Sequence, residues 1–153
     1  MAKIVIPSVD RLKEWIGKEV AVSDWFAVTQ ERIDAFAAAT EDDQWIHVDR
    51  ERAARESPYA TTVAHGFLTL SLLPYLMREA VDIVGARMGI NYGLNRARFT
   101  GPVPAGSRVR ARFVLASAEE IEGGVQSVWS VTVEREGEAK PALVAEWVTR
   151  RYK

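Results

Sequence analysis

The chain carries two histidines, His47 and His65, and both fall in stretches without a regular hydrophobic period. Around the first it reads TEDDQWIHVD, Thr40 to Asp49. An aspartate and a histidine that share a cavity can hold and activate a water, because imidazole titrates near neutrality and a carboxylate accepts its hydrogen bond. Asp42 and His47 are the candidates. Their spacing turns them about 140° apart on a helix, and to opposite faces on a strand. They can face one substrate only from a bent loop, which the aperiodic sequence permits. Solvated loop residues would look the same, so spacing alone leaves both readings open. Asp49 has a use of its own as a helix cap, and Trp45 and Ile46 read as plugs that hold the loop down. The second stretch is VAHGFLTLS, Val63 to Ser71. Gly66 there opens a helix directly after His65. A glycine lets a ligand approach the backbone, and a free N–H at a helix start can stabilise a developing oxyanion. Close helix–sheet packing would call for the same glycine.

Other chemistries are poorly provided for. The chain has no cysteine, which removes disulfides, a thiolate nucleophile and Cys-ligated zinc. No zinc-type ligand cluster, phosphate loop, dinucleotide fingerprint or serine elbow occurs, so no metal site is expected. With 20 basic and 21 acidic side chains the net charge is −1, which argues against bulk electrostatic binding of nucleic acid. The opening MAKIVIPSVD is not a secretory signal. A cytoplasmic protein without membrane association is expected.

The residues must be held by elements that the pattern predicts. The longest apolar run, Ala64 to Gly85, is apolar nearly all round in its first half and is interrupted later by Arg78, Glu79 and Asp82. It predicts one long buried helix over Gly66–Val84, kinked or divided at Pro74. Before it, Ser8, Thr29 and Asp49 are placed to cap three shorter helices. After it, four strands are predicted near Tyr92–Phe99, Ser107–Ala118, Val125–Arg135 and Ala142–Tyr152. In the second, Val109, Ala111, Phe113 and Leu115 alternate with Arg108, Arg110 and Arg112, the signature of a half-buried strand. Gly123-Gly124 and Glu136-Gly137 mark hairpin turns and imply antiparallel neighbours. The expectation is a single α+β domain over residues 1–153, a curved antiparallel sheet wrapped around one long central helix: the hot-dog fold.

Taken together, the two chemical stretches resemble the MaoC-like dehydratase family, which includes the (R)-specific enoyl-CoA hydratases. The family's first motif runs Asp-x-Asn-Pro-x-His-x-Asp; here Asp42, His47 and Asp49 match in register, with Gln44 and Trp45 in place of the Asn and Pro. The second motif matches Val63-Ala64-His65-Gly66-Phe67-Leu68, and Arg98-Phe99, Pro102-Val103 and Gly106 resemble a later strand and turn. The Gln-Trp-Ile-His form is similar to the branch typified by nodulation protein N. The resemblance implies that Asp42 and His47 position one water and shuttle its protons across a trans-2-enoyl thioester, while the Gly66 N–H polarises the thioester carbonyl. It assigns Gln44, Trp45 and His65 to substrate binding. It implies no cofactor, coenzyme A or an acyl-carrier arm entering as part of the substrate, and a homodimer. A hot-dog acyl-CoA thioesterase and a non-catalytic acyl-CoA-binding module are the alternatives.

Overall fold

The computed structural model describes residues 2–153. Its elements run β1 (Ile4–Ile6), a short 3-10 helix (Val9–Trp15), β2 (Glu19–Val22), β3 (Phe26–Ala27), α1 (Gln30–Thr40), α2 (Trp45–Val48), α3 (Arg50–Glu56), α4 (Gly66–Ser71), α5 (Leu73–Ala80), β4 (Val81–Ile83), β5 (Met88–Arg98), β6 (Arg108–Ile121), β7 (Gly124–Arg135) and β8 (Leu143–Tyr152). The three expected caps are all made. The side chains of Ser8, Thr29 and Asp49 accept from the N–H groups of Arg11, Arg32 and Arg52, which satisfies donors that each helix start leaves open.

The main sheet has the order β2-β6-β7-β8-β5, with β3 also pairing to β6. All of its pairings are antiparallel. Its inner face follows the alternation in the sequence: Val109, Ala111, Phe113 and Leu115 are buried, as are Trp129, Val131 and Val133 of β7. The outer face of β6 and β7 carries an ion-pair ladder. Arg110 and Arg112 both bond Glu134, and Arg108 bonds Glu136. The Arg112 hydrogen bond holds the Glu134 carboxyl below its ordinary value. That pair therefore stabilises the fold fully above the unfolded carboxylate value, and the contribution disappears as pH falls through the lowered folded value.

The helix inside the sheet departs from the expectation of one long rod over Gly66–Val84. It is two pieces, α4 and α5, joined at Leu72. Pro74 sits in the first turn of α5, where its missing N–H costs nothing and its ring would clash with a continuing helix upstream. The run also ends early. Val81–Ile83 leaves the helix and pairs in parallel with β1, a two-stranded sheet that no sequence pattern announced. The interior of α5 is cleanly amphipathic: Leu73, Leu76, Met77 and Ala80 are buried at helical spacing. α4 is less enclosed than its composition suggests. Phe67 is 67% exposed and meets Phe99 edge-on, with ring centroids 5.8 Å apart. Even so, one apolar cluster joins the helices to the sheet, from Ile6 through Leu73, Leu76, Phe113 and Trp129 to Trp147. The architecture is α+β, with the sheet curled round α4 and α5 as in a hot-dog fold.

Candidate active site

α1 ends at Thr40, and Glu41 takes a left-handed conformation, φ 63° and ψ 15°. Such a residue stops a helix sharply, and outside glycine it is strained. The turn delivers Asp42 to the start of a short linker into α2. The segment expected to be a bent loop is thus a linker followed by one turn of helix, Trp45–Val48. That single turn places His47 inward, where it is 8% exposed.

Two further stretches fix the histidine. Val63 donates its N–H to Ile46 O at 3.0 Å, and its carbonyl accepts from His47 Nδ1 at 2.7 Å. Ala64 N–H reaches Val103 O at 2.8 Å, which ties the same stretch to the turn before β6. A carbonyl oxygen can only accept, so His47 carries its proton on Nδ1 when neutral and leaves Nε2 with the lone pair. Gln30 closes the arrangement from below. Its amide N donates to His47 O and to Asp34 Oδ1, both at 2.8 Å, and its Oε1 accepts from Thr62 Oγ1. Gln30 was not singled out from sequence. A buried glutamine in a first helical turn looks ordinary until its long-range partners are known.

His65 follows directly and lies face to face with His47, ring centroids 3.7 Å apart and planes 22° from parallel. Its Nε2 bonds the backbone carbonyl of Asp42 at 2.8 Å. One donor atom from each of Asp42, His47 and His65 lies within 4.8 Å of the others. The structure therefore brings the expected acid–base pair together, although no regular element could have done so. It does not arrange the trio for a metal. Lone pairs lie in the imidazole planes, so near-parallel stacked rings aim them side by side rather than at one centre. His47 Nδ1 and His65 Nε2 are in addition engaged on carbonyl oxygens.

Beside His47 opens a cavity of about 370 Å³, whose walls include Tyr59, Gly66, Thr69, Phe99 and Ala142. A larger one, about 480 Å³, lies between α5 and strands β5 and β8, but its ionisable groups are the cations Arg78 and Arg151 and it holds no acid–base pair. The site is assigned to the smaller cavity on chemistry rather than size. Gly66 begins α4, and the first intrahelical donors are Leu68 and Thr69, both to His65 O. The N–H groups of Gly66 and Phe67 precede them. Three residues assigned to substrate contact sit elsewhere. Gln44 is exposed, Trp45 lies under the Arg52 guanidinium at 4.3 Å, and His65 is 2% exposed behind His47. None of the three lines the cavity, and of the expected acid–base pair only His47 does; Asp42 reaches His47 from outside its walls. For His65 the reason is the stack itself: His47 and Phe36, with ring centroids at 3.7 and 4.8 Å, occupy its surroundings.

The glycine is required by contact. A Cβ on Gly66 would stand 2.8 Å from Cγ and 2.9 Å from Cδ1 of Phe99. Phe99 is 45% exposed, so its ring can turn outward at the loss of its edge contact with Phe67. Gly66→Ala is therefore expected to lower Tm by no more than about 4 °C while displacing the Phe99 ring from the cavity wall. Thermal unfolding together with a crystal structure of the variant reads both. A Phe99 ring unmoved in that structure would contradict the packing account.

The chain is similar to known proteins in sequence and fold. Residues 11–137 match the MaoC like domain family. A protein of Mycobacterium tuberculosis described as 3-hydroxyacyl-thioester dehydratase Z is 53% identical over 144 residues, covering 94% of this chain and 95% of that one. Nodulation protein N of Rhizobium leguminosarum bv. viciae is 51% identical over 137 residues, 88% of this chain and 84% of that one. Among solved structures, an (R)-hydratase from A. caviae superposes with a TM-score of 0.71 at 23% identity, over 88% of this chain and 94% of that one. The curled sheet, the paired motifs and a family match that runs from the first helical turn to the β7–β8 hairpin agree: the chain belongs to the MaoC-like domain family.

Proposed function

We propose that the protein is an (R)-specific enoyl-CoA hydratase, equally a 3-hydroxyacyl-thioester dehydratase, adding water reversibly across a trans-2-enoyl thioester. The observation that carries this reading is the approach of Asp42 to His47, whose ring lines a cavity bordered by the start of α4. The half-identical dehydratase relative supports it. In this reading the Asp42 carboxylate and the His47 Nε2 lone pair hold one water. Its oxygen bonds to C3 of the substrate as it gives up a proton to the pair. The π electrons move toward the thioester carbonyl, where the Gly66 N–H meets the enolate-like charge. A proton returned from the pair to C2 on the same face completes a syn addition. No cofactor takes part, and coenzyme A or an acyl-carrier arm belongs to the substrate.

The test is turnover of crotonyl-CoA with two readouts. Loss of enoyl absorbance without free thiol supports hydration. Thiol release would identify a thioesterase, and binding without turnover a non-catalytic module.

The active unit in this reading is a homodimer of single-domain chains, working in the cytoplasm. Strand β5 ends the sheet order, and Met88, Ile90, Tyr92 and Leu94 along it are exposed. A row of open ladder groups with apolar side chains invites a second copy. Sedimentation should give twice the chain mass, and Leu94→Lys should shift the protein toward monomer. A wild-type monomer at micromolar concentration would remove this part of the proposal.

A further inference from the structure

Resting on the hydratase reading above, we infer that His65 is a positioning residue, whose Nε2–H clamps the backbone carbonyl of Asp42 and so holds the Asp42 carboxylate at His47. Three observations carry it. Nε2 bonds a carbonyl oxygen at 2.8 Å, which fixes the proton on that nitrogen. The opposite nitrogen, Nδ1, is buried without any partner, one of two such side-chain atoms among the described residues. A buried acceptor left unpaired is unfavourable. A plain apolar ring would fill this space without that penalty, so packing does not explain a histidine here; the N–H donor does. The ring also has little freedom to do anything else, since His47 is stacked on it and Phe36 packs beside it.

The clamp falls where the chain needs it. Asp42 is exposed, follows the strained turn at Glu41, and has one other backbone tie, a 3.4 Å contact from its N–H to Thr40 Oγ1. The bond from His65 spans 23 positions and links the end of α1 to the start of α4. As the residue before Gly66, His65 makes no side-chain cap to α4, so its side chain serves the Asp42 linker instead.

Two substitutions separate the donor from the ring. His65→Phe keeps an aromatic ring between Phe36 and His47 and removes both the donor and the unpaired nitrogen. His65→Gln carries an amide N–H that reaches the place of Nε2 but loses the ring. If His65 positions Asp42, the phenylalanine variant keeps or raises Tm yet loses at least about 10-fold in kcat, with KM changed by less than about threefold. The glutamine variant is less stable but retains more kcat than the phenylalanine variant. A packing role predicts the reverse order, with activity following Tm, and that result overturns the inference. Should phenylalanine not be accommodated, His65→Leu makes the same comparison. Asp42→Asn, measured alongside, tests the parent reading separately: undiminished turnover in that variant removes the hydratase mechanism. Amide hydrogen exchange across residues 40–44 needs no turnover. It should accelerate in His65→Phe and stay near wild type in His65→Gln, and unchanged exchange in the phenylalanine variant refutes the clamp.

Discussion

Asp42→Asn and His47→Asn should each lower turnover of a short trans-2-enoyl-CoA by at least about 10²-fold, the lower range for removing a general acid–base group. The two substitutions are chosen to spare the fold. The bonds that place Asp42 come from its backbone, to Thr40 and His65, so an amide in place of the carboxylate leaves them intact. An asparagine at position 47 can still offer an N–H toward Val63 O from near the place of Nδ1, while the nitrogen that would take a proton from water is gone. Thermal unfolding should therefore show both variants folded. If the two side chains act on one water, as proposed, the double variant should be little worse than either single one. Full activity in either variant, or losses that multiply, would defeat the assignment.

The largest effect on stability is expected from Trp129→Ala, about 3–5 kcal/mol by urea unfolding. Trp129 is fully buried in the middle strand of the hairpin series. It meets Phe113 edge-on at 6.4 Å and lies opposite Leu115 on β6 and Trp147 on β8. Its indole N–H reaches Thr149 Oγ1 at 3.3 Å. Removing it opens a void that strands on both sides cannot close without leaving their register. Against a total stability of about 5–15 kcal/mol for a domain of this kind, the loss is a large share. A change below about 1 kcal/mol would mean that the core is far more pliable than its packing indicates.

The parts of this architecture that a reader of the sequence can see are those governed by near neighbours. The alternation in β6 is legible because a strand turns each side chain over in succession, and Arg110 and Val109 cannot share a face. The caps at Ser8, Thr29 and Asp49 are legible because each bonds three residues ahead. The site needed more. That Asp42 and His47 must meet could be stated only as a requirement, and the groups that make them meet lie far along the chain: Val63 and Gln30 for His47, His65 for Asp42. None of these carries a local mark of its role. The division of the inner helix was half visible, since Pro74 announces a break but not that Leu72 absorbs it. The loss of the last turn to β4 was invisible, because the partner strand Ile4–Ile6 is short and lies at the other end of the chain. The substrate contact that the resemblance implies for His65 is not found for a related reason: only coordinates reveal a ring already enclosed by His47 and Phe36.

The seam between β5 and β8 bears on how the molecule comes into being. Thr100 N–H and Oγ1 bond Ala142 O and Pro141 O, and Ala97 sits opposite Ala145. Asp42, His47 and His65 leave the ribosome well before any of those partners. Until the chain near residue 142 arrives, Thr100 lacks its partners and the Ala142 wall of the cavity beside His47 is missing. A nascent chain halted before that point should carry the proposed acid–base pair and still convert no substrate. Competence would then come with the closing of the final strand, late in translation.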